Sequence, residues 1–423
     1  MPVPDNAARP VASPHETPPR VAIIGAGPAG LMAAEVLAAR GARVTIYERM
    51  PSPARKFLLA GRGGLNLTHS EPLEHFLVRY GEGADYIRSA ITAFSPDALV
   101  AWAEGLGQET FTGSSGRVFP RTMKASPLLR AWLKRLDSLG VTLKTLHTFL
   151  GFAAGGGIVI QDAAGVVSTL TPGATILALG GASWPKLGGD GAWVRPLSDA
   201  GIEIAPLIAS NAGVLIPWSE FVKTKFAGTP LKRIAITVAG VSQRGEAVIT
   251  ATGLEGGVVY ALSRPIRAAL AAGPATLTLD LRPDMTADAL AERLERGALR
   301  DSLSNHLRKA AGLIPAQIAL LYEGGAKPER APEVLARAIK NVELPLAGLQ
   351  GLERAISTAG GVRLCEIDAK GMLSKVPGVF VGGEMLDFDA PTGGYLLQAA
   401  FATGVRAAEG ASVWLSVKSH HRL

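Results

Sequence analysis

The chain has 423 residues, of which 48% are hydrophobic and 19% charged, so it is long enough to bury two or three domain cores. Its single cysteine, Cys365, excludes an internal disulfide and favours a reducing, cytoplasmic location, and the isolated histidines indicate no metal site. The net charge of +7 comes from dispersed lysines and arginines, so we expect no nucleic-acid partner, and no apolar run is long enough to span a membrane.

The predicted elements begin at Arg20, after a Pro- and Ala-rich leader whose composition indicates disorder. A strand, an Ala- and Leu-rich helix and a second strand follow within about thirty residues, which is the size of a β–α–β unit. Residues 54–70 are a glycine-bearing segment too irregular for a core element, and residues 141–152 are expected to form one strand. Apolar strands run into glycines at three distant places, namely Gly25, Gly180 and Gly382.

Strand ends so far apart in the sequence indicate one sheet built from both ends of the chain, with the middle of the chain inserted. The predicted fold class is α/β, with a β-barrel-like insertion of alternating strands and a helical subdomain. The predicted segments are the leader 1–19, the first part of the α/β domain 20–205, the barrel-like segments 206–285 and 342–362, the helical insertion 286–341, the second part of the α/β domain 363–412 and the tail 413–423.

The first strand runs into a G-x-G-x-x-G turn that opens a helix, and in this context the motif predicts a bound dinucleotide. The first glycine permits the tight turn, the second lets the backbone approach a pyrophosphate, and the third lets the helix pack on the strand. The pyrophosphate would meet the free N–H groups of the helix, and an acidic residue ending the second strand would bind ribose hydroxyls. The cofactor-binding residues predicted here are Gly25, Ala26, Gly27, Pro28, Ala29, Gly30, Glu48 and Arg49.

This motif alone does not separate FAD from NAD. Two further strand ends that carry glycines, ILALGG and VFVGGE, favour FAD, because its ribityl–flavin half must cross the carboxyl edge of the sheet. We therefore assign Gly180, Gly181 and Gly383 to this crossing and Glu384 to a ribityl hydroxyl. The alternative is that these glycines form ordinary tight turns after strands.

The segment PTGGYLLQ places two glycines before a C-terminal helix, so the helix N-terminus can point at a negative atom. In a flavoenzyme the useful target is the flavin N1–C2=O edge, which becomes anionic on reduction. The residues assigned to it are Gly393, Gly394, Tyr395, Leu396 and Leu397. The alternative is a glycine-rich start of a packing helix.

These segments together resemble the BaiN/YhiN-like family of NAD(P)/FAD-dependent oxidoreductases, over nearly the whole chain from Arg20 to about Gly410. The segments that carry the resemblance are IIGAGPAGLMAAE, LAGRGGLNLTHS, GRVFPRTMKAS, LGGASWPKLGGDGAW, GEAVITATGLEG, STAGGVRLCEID and VGGEMLDFDAPTGGYLLQAAFATG. The resemblance implies a Rossmann-like FAD-binding domain made from the two chain ends, with a β-barrel insertion and a helical insertion. It further implies that residues 358–362 lie near the flavin ring and that FAD is lined by Arg55, Lys56, Arg62, Gly63 and Asn66.

The sequence departs from the family in one loop. Family members usually carry a loop resembling GGGRCN, whereas this chain has GRGGLN, with Gly64 and Leu65 in place of Arg and Cys and an arginine at Arg62. No role of the family's Arg or Cys is therefore carried over. We expect Leu65 to provide apolar packing beside the flavin.

The resemblance implies an enzyme in which the flavin performs the redox chemistry. The expected function is FAD-dependent, NAD(P)H-linked reduction of a small, enone-like organic substrate. Because only one G-x-G-x-x-G unit is present, NADH or NADPH would dock transiently at the flavin. The alternatives are a flavin oxidase of a small amine, a flavin-dependent RNA-modifying enzyme and a non-enzymatic FAD-binding partner protein.

No general acid or base is assigned from the sequence, and the two candidates are Lys186 and His69. Lys186 could reach an anionic substrate, but a solvated loop lysine is the alternative. His69 could face the ligand, but a loop histidine with a backbone partner is equally expected. Trp184 and Tyr395 either shape the pocket or pack in the core.

Overall fold

The computed structural model describes residues 18–61, 63–81, 83–297, 301–325 and 329–420. The predicted leader up to residue 17, the last three residues of the predicted tail and the predicted cofactor residue Arg62 lie outside the described residues. The strands are β1 (Arg20–Ile24), β2 (Arg43–Tyr47), β3 (Thr68–His69), β4 (Thr110–Thr112), β5 (Arg117–Pro120), β6 (Thr142–Lys144), β7 (Thr148–Phe152), β8 (Ile158–Gln161), β9 (Val167–Leu170), β10 (Ala174–Leu177), β11 (Ile204–Ser210), β12 (Val214–Leu215), β13 (Pro230–Val238), β14 (Val241–Thr250), β15 (Gly253–Glu255), β16 (Ala275–Asp280), β17 (Val342–Leu346), β18 (Gly348–Leu349), β19 (Ser357–Val362) and β20 (Val379–Val381).

The α-helices are α1 (Pro28–Ala39), α2 (Arg55–Ala60), α3 (Leu73–Val78), α4 (Asp85–Ala93), α5 (Pro96–Glu104), α6 (Ala125–Ser138), α7 (Val194–Asp199), α8 (Glu220–Phe226), α9 (Gly257–Ala261), α10 (Ser263–Ala272), α11 (Ala287–Glu295), α12 (Leu303–Ala310), α13 (Pro315–Glu323), α14 (Pro332–Lys340) and α15 (Tyr395–His420). Two short 3₁₀ helices cover Pro185–Leu187 and Leu364–Glu366. The chain divides into two compact units, one comprising residues up to Ile208 together with those from Ser357 onward, the other Ala209–Ile356.

The first unit is built around a parallel sheet in the order β20-β10-β1-β2-β6. The central strand β1 pairs in parallel with β2 on one side and with β10 on the other, and its residues from Val21 to Ile24 are buried. A strand that is apolar along its whole length suits a sheet covered on both faces. The sheet takes strands from both ends of the chain, so the predicted α/β fold class is confirmed.

Helices α1 and α15 approach each other closely in this unit. A Cβ atom on Gly404 of α15 would lie 3.0 Å from the Ala29 Cα atom and would overlap the Ala29 carbonyl oxygen. Small residues at the crossing therefore let the two backbones touch. In the same core, Trp132 of α6 and Phe401 of α15 stack with their ring centroids 5.4 Å apart.

Residues 54–70 are not the irregular loop outside the core that we expected. They contain α2 and β3, and Leu65 and Leu67 are fully buried in the main core of the unit. The Leu65 N–H donates to the Met123 carbonyl at 2.8 Å, and the Leu67 N–H donates to the Val118 carbonyl at 2.9 Å. The prediction was wrong because these partners lie within β5 and just after it, more than fifty residues away, and local sequence does not reveal such a pairing.

Residues 141–152, expected as one strand, form two. The chain turns at Leu146, which has a φ of 57°, so that β6 joins the parallel sheet beside β2 while β7 pairs with β8 in a separate antiparallel sheet. A run of alternating apolar residues gives no indication of which sheet each half will join.

The second unit holds an antiparallel sheet of seven strands in the order β17-β16-β13-β14-β15-β12-β18. Its core combines strand residues such as Ile236 and Leu279 with helix residues such as Leu290 and Leu335, all at most 1% exposed. Helices α11 to α14 fall within the predicted helical insertion, and the antiparallel sheet falls within the predicted strand-rich insertion.

Helix α15 continues to His420, through most of the segment predicted as a tail. Its 26 residues make it the longest of the described helices. No helix among the described residues is long and apolar enough to cross a membrane.

Candidate functional site

The turn between β1 and α1 contains three glycines. Close packing requires glycine at two of them, and the third has empty space beside it. A Cβ atom on Gly25 would overlap the Ala178 carbonyl oxygen, and a Cβ atom on Gly30 would overlap the Gly25 carbonyl oxygen. Gly25 also has a φ of +102°, which favours glycine. Gly27 has an ordinary φ of −82°, yet a Cβ atom there would meet no described atom within 4 Å. The turn is therefore tight against the sheet and open at Gly27.

The open space lies at the N-terminus of α1. Gly27 is the N-cap residue, Pro28 follows it, and no side chain of the described residues caps the helix. The first helical hydrogen bond runs from the Leu31 N–H to the Gly27 carbonyl at 2.9 Å, so the N–H groups of Ala29 and Gly30 have no partner within the helix. Unpaired N–H groups and the helix dipole favour an anion at this point.

Glu48 is fixed beside this turn by two backbone groups. Its Oε2 atom accepts a hydrogen bond from the Ala26 N–H at 2.8 Å, and its Oε1 atom accepts one from the Met50 N–H at 2.8 Å. Because a carboxylate has about four acceptor positions, two remain for hydroxyl donors. The predicted contact of Glu48 with ribose hydroxyls stays a prediction, and the geometry leaves room for it.

A strand-end cluster, formed by Lys56, Gly181, Ser183, Thr358 and Glu384, joins the ends of β10 and β20 to α2 and β19. The Lys56 ammonium donates to both Glu384 carboxylate oxygens, at 2.7 and 2.8 Å, and to the Ser183 hydroxyl. The Thr358 N–H donates to Glu384 Oε1 at 3.1 Å. A Cβ atom on Gly181 would lie 2.7 Å from the Thr358 Cβ atom and 3.0 Å from the Glu384 carboxyl carbon. Only glycine fits at this position.

Arg49 and Lys186 lie near the short 3₁₀ helix that follows β10. The Arg49 guanidinium donates to the Asp190 carboxylate at 2.6 Å and to the Gly188 carbonyl at 2.7 Å. Lys186 is exposed, which favours the solvated-lysine alternative. Trp184 is half-buried in a left-handed conformation, with a φ of 58°. Arg49 therefore ties the end of β2 to the segment that carries Lys186.

The start of α15 is held against β3. A Cβ atom on Gly394, whose φ is +97°, would lie 2.7 Å from the Thr68 carbonyl carbon. The Tyr395 hydroxyl donates to Glu71 Oε1 at 2.5 Å, and Glu71 also accepts two hydrogen bonds from Arg79, at 3.1 and 2.7 Å. Burial and the hydrogen bond to Glu71 raise the Tyr395 pKa, so the phenol stays protonated at neutral pH.

His69 has backbone partners on both ring nitrogens. The Glu71 N–H donates to Nδ1 at 3.1 Å, which leaves Nε2 as the protonated nitrogen that donates to the Ser115 carbonyl at 2.9 Å. The ring also stacks on Tyr395, with centroids 5.6 Å apart. These contacts favour the structural alternative over a catalytic role for His69.

Two buried polar atoms in the predicted cofactor residues lack a hydrogen-bond partner among the described residues. They are the Nε atom of Arg55 and the Oδ1 atom of Asn66. A buried group without a partner costs free energy, so native proteins usually satisfy it with a bound molecule or water. The residues predicted to line the cofactor thus include both an unused donor and an unused acceptor.

Residues 19–410 match the family described as the HI0933-like protein Rossmann domain. The chain belongs to this family. The resemblance expected from the sequence is confirmed, and the HI0933-like chain is a flavin-dependent oxidoreductase.

The HI0933-like chain is similar to proteins with different substrates. It is 28% identical over 422 residues to the "3-dehydro-bile acid delta(4,6)-reductase" of Clostridium scindens, covering 93% of this chain and 99% of that protein. It is 24% identical over 402 residues to the "Ribosomal RNA dihydrouridine synthase" of Haemophilus influenzae, covering 90% and 95%. A 3-ketosteroid delta1-dehydrogenase from Sterolibacterium denitrificans in complex with 1,4-androstadiene-3,17-dione shares the fold, with a TM-score of 0.53 at 15% identity over 93% of this chain and 99% of that one.

The residues of the HI0933-like chain fit FAD. The turn at Gly27 has space where a diphosphate would lie, Glu48 keeps acceptor positions beside it, and Arg55 and Asn66 hold unused polar atoms. The glycine at Gly181 is explained by packing against the strand-end cluster, so it does not bear on the fit to FAD.

Two residues of the site were not predicted from the sequence. Ser183 is fully buried and accepts from Lys56, although it lies only two residues beyond the predicted Gly181. Glu71 binds the Tyr395 hydroxyl from a position 324 residues away. In the sequence, the signal for Glu71 is its place directly after LAGRGGLNLTHS, one of the segments that carry the family resemblance.

Proposed function

We propose that this chain binds FAD at the carboxyl edge of its parallel sheet and catalyses the NAD(P)H-linked reduction of a small, enone-like substrate. The observation that carries the proposal is the open space at Gly27, which lies at an uncapped helix N-terminus beside the fixed carboxylate of Glu48. No packing purpose explains a glycine there, whereas a pyrophosphate requires one.

The chain's own residues have distinct roles in this proposal. The N–H groups at the start of α1 bind the diphosphate, and Glu48 accepts from the ribose. The strand-end cluster positions Glu384 for the ribityl chain, with Lys56 compensating its charge. The glycines before α15 bring the helix N-terminus to the pyrimidine edge of the ring. The flavin, when bound, supplies the hydride transfer.

The substrate class rests on similarity. The relative named as a reductase of a 3-dehydro-bile acid aligns over 99% of its own length, which supports a reductive activity on a small organic molecule. A single G-x-G-x-x-G turn is present and is assigned to FAD. NADH or NADPH would therefore dock transiently, act as the two-electron donor to the flavoprotein and leave as NAD⁺ or NADP⁺.

The first test is the visible spectrum of the purified protein, with chromatographic identification of the released cofactor. We expect FAD, and a colourless protein that does not take up added FAD would contradict the proposal. The second test is anaerobic stopped-flow mixing with NADH and with NADPH. Bleaching of the flavin band by one of them, followed by reoxidation with a cyclic enone, is the expected result. No bleaching by either would instead favour the amine-oxidase alternative.

A second candidate function is reduction of a base in RNA. It is favoured by the relative named as a ribosomal RNA dihydrouridine synthase, because the match covers 90% of this chain and 95% of that relative. A gel-shift titration with ribosomal RNA over a salt series tests it, because phosphate contacts give an affinity that falls steeply with salt. Loss of uridine in RNA treated with protein and NADPH would establish this activity, and absence of both binding and conversion would exclude it.

A further inference from the structure

A cation that the sequence did not single out lies at the turn that opens α15. Arg117 is the first residue of β5, and it pairs across the ladder with His69 of β3. A Cβ atom built on Gly393 would lie 3.9 Å from the Arg117 Nε atom and 3.0 Å from the Tyr395 ring. The guanidinium and the aromatic ring therefore flank the same glycine.

The charge of Arg117 is not neutralised within the described part of the chain. No described residue forms an ion pair or a hydrogen bond with its guanidinium, and the side chain is exposed. Glu71, the acidic residue bonded to Tyr395, is already paired with Arg79 at 2.7 Å. By contrast, Arg121, four residues further along the same segment, pairs with Glu109 at 2.9 Å. Arg117 is thus left with its full charge beside the glycine turn.

We propose that Arg117 supplies positive charge to the pyrimidine edge of the bound flavin and thereby raises its reduction potential. The inference rests on the proposed function, which places that edge at the turn formed by Gly393 and Gly394. Reduction puts negative charge on this edge of the ring, and a nearby cation stabilises the charged form more than the neutral one. Because Arg117 is exposed, the effect will be screened by salt.

The expected size follows from a single cation acting at short range through partly solvated surroundings. We expect the two-electron equilibrium constant for flavin reduction to fall about tenfold when the charge is removed, which corresponds to about 30 mV. At high ionic strength the difference should shrink towards zero.

The experiment is a dye-equilibrated reductive titration of the flavin-loaded protein, compared between wild type, Arg117→Gln and Arg117→Lys. Arg121→Gln is the matched control, since it removes an exposed arginine from the same segment but one that already has a partner. We expect a more negative potential for Arg117→Gln at low salt, a potential near wild type for Arg117→Lys, and no change for Arg121→Gln. Equal potentials in Arg117→Gln and wild type would overturn the proposal, as would an equal shift in Arg121→Gln.

Two further outcomes are decisive. If Arg117→Gln binds FAD more weakly but keeps the wild-type potential, Arg117 only holds the cofactor and the proposed effect on potential is wrong. If Arg117→Gln retains too little flavin to titrate, the test is made on the wild-type protein alone. Its reduction potential should then fall as salt is added, and a potential that does not change with salt would overturn the inference. Failure of the wild-type protein to bind flavin contradicts the proposed function, whereas a flavin-loaded protein with unchanged potentials contradicts only the role of Arg117.

Discussion

Replacing Gly27 with alanine should weaken flavin binding without harming the fold. In the protein without cofactor, the new methyl group meets no described atom within 4 Å, and the φ of −82° suits alanine. Loss of the preferred glycine at an N-cap costs about 0.5–1 kcal/mol. Reduced freedom of the unfolded chain offsets this by about 0.4–1 kcal/mol. The net change in the free energy of unfolding should therefore lie within about 0.5 kcal/mol of zero.

With the cofactor bound, the same methyl group would occupy the space assigned to the diphosphate. Forcing an extra methyl into a packed contact costs about 1–3 kcal/mol. This corresponds to a roughly 5- to 150-fold rise in the dissociation constant for FAD. The assay is a titration of cofactor-free protein with FAD, followed by quenching of flavin fluorescence, next to a urea unfolding curve of the same preparation.

Gly30→Ala is the matched control, because its methyl group would overlap the Gly25 carbonyl oxygen and lie 3.3 Å from the Ala178 side chain. This variant should lose about 1–3 kcal/mol of unfolding free energy even without cofactor. If Gly27→Ala binds FAD as tightly as wild type, no diphosphate approaches Gly27 and the reasoning fails. If it is destabilised as strongly as Gly30→Ala, the space at the turn is not open.

Three further predictions concern the surroundings of the site. Lys56→Met leaves the Glu384 carboxylate with only a backbone donor, so the free energy of unfolding measured with urea should fall by about 1–3 kcal/mol. This is less than for a fully buried pair, because both side chains are partly exposed. An unchanged unfolding curve would contradict the prediction. Burial raises the Glu71 pKa, but hydrogen bonds from Arg79 and from the tyrosine that opens α15 hold that pKa below its ordinary 4.5. The stabilisation by the charged carboxylate is therefore fully present above about pH 4.5 and is lost as the pH falls through the pKa of the folded state. The difference in unfolding free energy between wild type and Glu71→Gln should be constant near neutrality and shrink in acid. A difference that is unchanged at pH 3 would refute this prediction. Leu65→Ala removes a fully buried side chain and should cost about 2–5 kcal/mol in the same unfolding assay, and a loss well under 1 kcal/mol would show that Leu65 is not packed in the core.

The elements predicted well are those whose chemistry is local. The glycine turn at Gly25, the acid at Glu48 and the apolar strand around Ile176 each carry their own pattern, so the sheet and its carboxyl edge could be anticipated. Residues 54–70 were misjudged because Leu65 and Leu67 find their hydrogen-bond partners in β5 and just after it, far away in the sequence. Arg117 was missed for a related reason, since nothing near it in the sequence indicates that Gly393 will lie beside it.

The sheet has a consequence for biosynthesis. Its strands β1 and β2 are complete within the first fifty residues, but β20 ends only at Val381 and the glycine pair before α15 comes later still. While the chain is being made, β1, β2, β6 and β10 are all available once Leu177 has left the ribosome, and only the edge strand β20 emerges much later. The sheet can therefore be completed only when translation is nearly finished, and a message shortened before codon 379 would yield a product whose sheet lacks its outer strand beside β10.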